Sequence, residues 1–270
     1  MTPALTLSML NSALSSEPTM KTMQLAARIA PYNPPRNMSD LARVNAMLKK
    51  AGISAGVYKL QKGQNLTAAN LASNAAMSKA AGQPQNVRAL ENGWHGLSPT
   101  VQGDYGENYV MRKFVAYSGY LALRTTEALY PSYNSGQQEL HLGPNESYIF
   151  TFPSKPPLAQ YGFWSLTAYN KKEYLIPNTL NRYVLNDRSN LTYADGSLVY
   201  GSNSHSNETF QLLVQPADVT PPRNWTSNWL PASKGGGGLS LTLRFYAPTE
   251  QLRNGSWPYP VVTKGNAIRE

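Results

Sequence analysis

At 270 residues with 41% hydrophobic side chains, the chain is long enough for one large or two small domains with a real core. It has no cysteine, which excludes disulfides and thiolate chemistry. Its net charge of +9 is scattered, with only Lys49-Lys50 and Lys171-Lys172 as adjacent lysines, so no basic stripe argues for a nucleic-acid partner.

In chain order, residues 1–80 read as helices. Glu17-Pro18-Thr19 opens an amphipathic segment from Met20 to Ile29, which Pro31, Pro34 and Pro35 end. Ser39-Asp40 offers an N-cap for Leu41 to Lys50, with Leu41, Val44, Asn45 and Leu48 on one face, and Ala51-Gly52 stops it. Leu66 to Ala81 is rich in alanine, a third helix whose small residues suit close packing. Trp94 and His95 lie between Gly93 and Gly96, in a predicted turn. A further helix is predicted from Tyr109 to Leu123, with Val110, Phe114, Tyr117 and Leu121 on one stripe.

From Tyr130 onward the period changes to two. Tyr148, Phe150 and Phe152 alternate with Ile149 and Thr151, and Trp164, Leu166 and Ala168 share one side of the run Phe163 to Tyr169. Leu239, Leu241, Leu243 and Phe245 alternate with Ser240, Thr242, Arg244 and Tyr246 in the clearest strand of the chain. Gly235 to Gly238, just ahead of it, read as a flexible hairpin connection. The pattern predicts an α+β fold: a helical N-terminal region, 1–130, packed on a jelly-roll-like antiparallel β-sandwich, 131–270.

Several chemistries lack their residues. His95, His141 and His205 share no metal-ligand spacing, so no metal and no cofactor is expected. There is no G-x-S-x-G elbow, and the lysine precedes the glycines where a P-loop needs it after them. No spacing pairs the carboxylates Glu173, Asp187, Asp195 and Asp218 as a glycosidase needs. What remains suits sugar or polyol binding: aromatic faces that stack on rings, with amides and guanidinium groups that fork to hydroxyls.

Seven N-x-S/T sequons begin at Asn37, Asn65, Asn145, Asn190, Asn207, Asn224 and Asn254, which point to a secreted glycoprotein. Residues 1–16 make a poor leader, without a basic start and with Ser8 and Asn11 breaking the apolar run. No run is long and apolar enough for a membrane span.

The run Phe163-Trp164-Ser165-Leu166-Thr167-Ala168-Tyr169 resembles the F-W-S-L-T-x-Y signature of the DUF1254/DUF1214 proteins, in their C-terminal DUF1214 module. Asn181-Arg182-Tyr183, Asp187-Arg188, Asp195-Gly196-Ser197-Leu198, Asn228-Trp229-Leu230-Pro231-Ala232 and Leu243-Arg244-Phe245-Tyr246 resemble the same module. Upstream, Gly93-Trp94, the Tyr105 to Arg112 block and Glu127 to Tyr130 resemble the region that precedes it. The stretch Gln215 to Pro222 is similar to fungal members. The resemblance implies an N-terminal DUF1254 domain, which this chain is expected to lack, and it carries no settled reaction.

The resulting expectation is a binding module for a polar small molecule or glycan, with Trp94, Tyr109, Arg112, Trp164, Asn170, Arg182, Asp187, Asn228 and Trp229 in a loop-lined cleft. The alternatives are an enzyme acting on a sugar-like or lactone substrate, or a truncated structural remnant. Expected partners are a small molecule or glycan, a missing N-terminal domain or a second copy, and neither nucleic acid nor membrane.

Overall fold

The computed structural model describes residues 5–133, 140–202 and 208–270. The chain divides into two compact units, Met1–Ala76 and Met77–Glu270. The first holds α1 (Leu7–Asn11), α2 (Pro18–Ile29), α3 (Leu41–Lys50), the short pair β1 (Ile53–Ser54) and β2 (Val57–Tyr58), and most of α4 (Leu66–Ala81). Glu17 caps α2 by accepting from the Thr19 and Met20 amides, and Pro18 stands at its first turn, where a missing N–H costs nothing. Asn37 caps the turn before α3 through the Ser39 amide; Asp40, the predicted cap, pairs instead with Arg43 at 3.4 Å. Leu41, Val44 and Leu48 are half-buried as their spacing predicts, while Asn45 is exposed. The buried core of this unit is small: Ala27, Ile53 and Tyr58, with Met20, Met23, Ala30, Leu48 and Leu66 against it. Most of α4 faces solvent, Leu71 included, so its small residues do not serve the close packing expected of them.

The second unit begins upstream of the expected boundary at 130/131. The reason is two early strands, β3 (Val87–Ala89) and β4 (Trp94–Leu97), which extend the large sheet. After α5 (Tyr109–Ser118) come β5 (Ala128–Leu129), β6 (Ser132–Tyr133), β7 (Leu140–Leu142), β8 (Glu146–Phe152), β9 (Leu158–Asn170), β10 (Val184–Asn186), β11 (Phe210–Pro216), β12 (Trp229–Ala232), β13 (Gly237–Pro248), α6 (Glu250–Asn254) and β14 (Val261–Asn266). Among the described residues, β10-β9-β13-β6-β4-β3 form the large sheet, with β5 and β7 also paired to β13. The smaller sheet runs β12-β11-β8-β14. Pairing is antiparallel except between β11 and β12, which are parallel.

The period-two pattern explains the core. Leu239, Leu241, Leu243 and Phe245 of β13 point inward beside Trp164, Leu166 and Ala168 of β9, and meet Tyr148, Phe150, Phe152, Phe210, Leu212 and Val214 of the smaller sheet. Ring centroids across the sheets lie 5.1 Å apart for Phe152 and Trp164, and 6.2 Å apart for Trp94 and Phe150. Two local expectations change. The four-glycine run is no hairpin: Gly235 and Gly236 help carry the chain from β12 in one sheet to β13 in the other, while Gly237 and Gly238 already belong to β13, paired with Leu142 and His141. On α5 the buried residues are Met111 and Val115, and Tyr117 and Leu121 are exposed, because the helix ends at Ser118 and its inner face is the i, i+4 pair rather than the longer stripe.

Candidate functional site

The expected cleft does not form from the residues named for it. Trp94 and Trp164 are fully buried and Trp229 is 4% exposed, so none offers a stacking face. Their indole N–H groups are spent inside: Trp94 donates to Pro260 O at 2.7 Å, Trp164 to Tyr200 Oη at 2.6 Å, and Trp229 to Gln215 O at 3.3 Å. Asn228, also buried, donates to the carbonyls of Thr192 and Gln211 and accepts from the Thr192 amide. Arg182 is half-buried, donates to the carbonyls of Thr226 and Trp229, and so ties the loop before β12 to its own. Asn170 closes a turn by accepting from the Lys172 and Tyr174 amides. Tyr109 and Arg112 form a separate surface group on α5, with the guanidinium 5.7 Å from the Tyr109 ring centre and 5.9 Å from that of Tyr105.

Only Asp187 behaves like a functional group among the nine. It follows β10 and stands across from Trp164 at the rim of the core, beside Tyr200. Its Oδ1 is buried without a hydrogen-bond partner. Burial pushes its pKa above the usual carboxylate range, against the smaller opposing pull of nearby amides and of Arg188. Burial also raises the Tyr200 phenol, and the Asp187 charge adds to that rise. Asp195, by contrast, caps its turn through the Ser197 amide and hydroxyl.

The other half of the motif alternation builds a different surface. Residues opposite one another in an antiparallel pair share a face. The register of β9 with β13 sets Ser240 against Tyr169, Thr242 against Thr167, Arg244 against Ser165 and Tyr246 against Phe163. Ser132 of β6 joins Thr242, and Asn186 of β10 joins Ser165. All of these lie on the face opposite the core, although Ser165 and Thr167 are themselves buried, at 8% and 7% exposed. Arg244 is half-buried at the centre, donating to Thr167 Oγ1 at 3.2 Å and to Tyr169 Oη at 3.0 Å. Phe163 and Tyr246 stack at 4.3 Å beside it, the Arg188 guanidinium lies 5.4 Å from the Phe163 ring centre, and Tyr130 meets Tyr246 edge-on. Burial raises the Tyr130 phenol. Glu173 lies at the far end of the face, where Ser240 Oγ donates to it at 3.2 Å. These residues are legible in the sequence as the polar half of two strands; what hides them is the register, which alternation within one strand does not supply.

A small cleft that shares Tyr130 with this face is lined by Arg88, Gln102, Arg253 and Tyr259, among others. Its volume of about 20 Å³ has room for one water molecule and none for a sugar. Burial pushes the Tyr259 phenol there up to about 12. Among the described residues, no group of His, Asp and Glu is arranged to hold a metal ion, and no helix is long and apolar enough to cross a membrane. The sequon asparagines at 37, 65, 145, 190, 224 and 254 are exposed; Asn207 lies outside the described residues.

No curated protein matches the sequence. The VPA0106 protein from Vibrio parahaemolyticus is a similar solved structure, 18% identical with a TM-score of 0.52, over 82% of this chain and 50% of that one. That likeness concerns the fold alone, and this chain spans half the length of that protein. Residues 127–250 match the family model DUF1214, a protein of unknown function. Trp94, Tyr109 and Arg112 fall outside the match, while Asp187, Arg244 and the paired faces of β9 and β13 fall inside it. Residues 127–250, which include the Arg244 face, are thus similar to the DUF1214 family over a little under half of the chain.

Proposed function

We propose that the chain is a binding module for a polar small molecule or glycan, held on the outer face of the large sheet around Arg244. The supporting observation is the register of β9 with β13, which gathers Ser165, Thr167, Tyr169, Thr242, Arg244 and Tyr246 on one face. A sandwich that needed this face only for solubility would serve with scattered charges; here a half-buried guanidinium sits among hydroxyls. The buried tryptophans, in contrast, hold the core that keeps the two strands in register.

The test is a calorimetric titration of the whole chain with a panel of sugars, polyols and small carboxylates. Thr167→Val and Tyr246→Ala should each weaken a bound ligand severalfold, while Tyr109→Ala, on the α5 surface, should leave it unchanged. Binding that ignores both face variants would sink the proposal. An enzymatic reading has Asp187 to support it: a desolvated carboxyl beside a phenol is suited to proton transfer. Binding is the stronger reading because the Arg244 face gathers a guanidinium and several hydroxyls, whereas Asp187 has one phenol beside it.

A further inference from the structure

We infer that the Arg244 face selects an anionic ligand, with a small organic carboxylate as its chemical class. The inference rests on the binding reading above and adds the charge of what is bound. Arg244 is half-buried, and among the described residues no carboxylate lies within ion-pair distance of it. Removing part of a guanidinium from water without a counter-charge is costly, and neutral hydroxyls recover only part of that cost.

The hydrogen-bond directions sharpen the argument. Thr167 Oγ1 and Tyr169 Oη both accept from Arg244. Each hydroxyl therefore keeps its own hydrogen for the next acceptor. The guanidinium carries five N–H donors and uses two of them on these hydroxyls. Thr167 is itself buried, so the donors this face offers at its centre are the remaining guanidinium N–H groups and the Tyr169 O–H. A neutral sugar can hydrogen-bond to these groups but brings no charge to answer the guanidinium. A carboxylate is acceptor-only and matches the planar fork of arginine in two parallel bonds. Glu173, the acidic residue of this face, stands by Ser240, four positions along β13 and so roughly 13 Å from Arg244 in backbone terms. The stacked Phe163–Tyr246 pair, two positions along β13 on the other side, gives an apolar flank for the body of such a ligand.

The experiment compares benzoate with benzamide, a neutral molecule of nearly the same shape, by calorimetry on the whole chain. In parallel, backbone amide shifts of Thr167, Tyr169, Thr242 and Arg244 are followed by NMR. Benzoate is expected to bind at least tenfold tighter than benzamide and to move those amides. Arg244→Gln should weaken benzoate roughly ten- to hundredfold, as loss of a charged hydrogen-bond pair does. Tyr169→Phe removes a single hydroxyl and should weaken it severalfold, which keeps a test in hand if Arg244→Gln fails to fold. Equal binding of benzamide and benzoate on these residues overturns the anion inference and leaves the binding reading standing. So does binding of a neutral sugar there with none of benzoate. No ligand of any class perturbing these amides at millimolar concentration overturns both.

Discussion

A single carboxyl shows how burial shapes this chain residue by residue. Asp187 is half-buried with one oxygen unpartnered, so its charged form is disfavoured in the folded state. Its native pKa lies above the unfolded one, so between the two values the folded state binds more protons. Stability contributed by this group is then lost as pH rises through that window, and the full penalty is present above it. Asp187→Asn keeps the shape and removes the charge. The variant should melt at a higher temperature than wild type at neutral pH, and the difference should vanish in acid, below both pKa values. A thermal-melt series across pH checks this; a variant less stable at neutral pH would show instead that Asp187 is held charged by a partner. The same scale explains what the sequence hid. Trp164 shares the apolar side of its strand with Leu166 and Ala168 and is legible as core, but Trp94 and Trp229 are not, because the groups that satisfy their N–H lie elsewhere in the chain: Pro260 O for Trp94 and Gln215 O for Trp229. Composition marks an indole as amphipathic; only tertiary contacts decide which end is wet.

Among the elements, β13 is the hub: it pairs with β9, β5, β6 and β7. Its two faces were legible in the sequence, since Leu239, Leu241, Leu243 and Phe245 alternate cleanly with Ser240, Thr242, Arg244 and Tyr246 and are the ones buried. What precedes it was not, because a glycine run carries no side chain to show where it leads. The run begins with a turn, Gly236 donating to Ser233 O at 2.9 Å and Gly235 to Asp218 Oδ1 at 2.9 Å. Both glycines have left-handed backbone, with φ of +69° at Gly235 and +82° at Gly236. They differ in surroundings. A Cβ at Gly236 would overlap the carbonyl oxygen of Leu142, whereas one at Gly235 meets nothing within 4 Å. Gly235→Ala should therefore cost about 1 kcal/mol, the left-handed penalty alone. Gly236→Ala should cost about 3 kcal/mol, because the clash with the backbone beside β7 adds to it. Denaturant melts of the two variants test the pair. Equal destabilisation would mean that the turn relaxes away from Leu142.

At the level of the molecule, the two units differ in what holds each together. Met77–Glu270 buries a continuous aromatic core between two sheets, and the sequence foretold it because period-two runs with Trp, Phe and Leu leave few other arrangements. Met1–Ala76 has the helices that its pattern and proline signals predict, but among the described residues only Ala27, Ile53 and Tyr58 form its buried core. A unit of this size has little apolar area to set against the entropy of ordering its chain. One of those three residues is also imperfect: Tyr58 has its hydroxyl buried without a hydrogen-bond partner. A buried hydroxyl in that state costs about 1 kcal/mol or more relative to an apolar group. Local opening should therefore be easier here than in the sandwich. In hydrogen exchange followed by mass spectrometry, the amides of α2 and α3 should exchange well before those at the centre of β9 and β13. Tyr58→Phe should slow exchange in α2 and α3 while leaving β9 and β13 as they were. Equal protection in both units would mean that they open as one. Faster exchange of α2 in Tyr58→Phe would mean that the hydroxyl is satisfied in solution, by water or by a partner group, and that it helps hold the small core together.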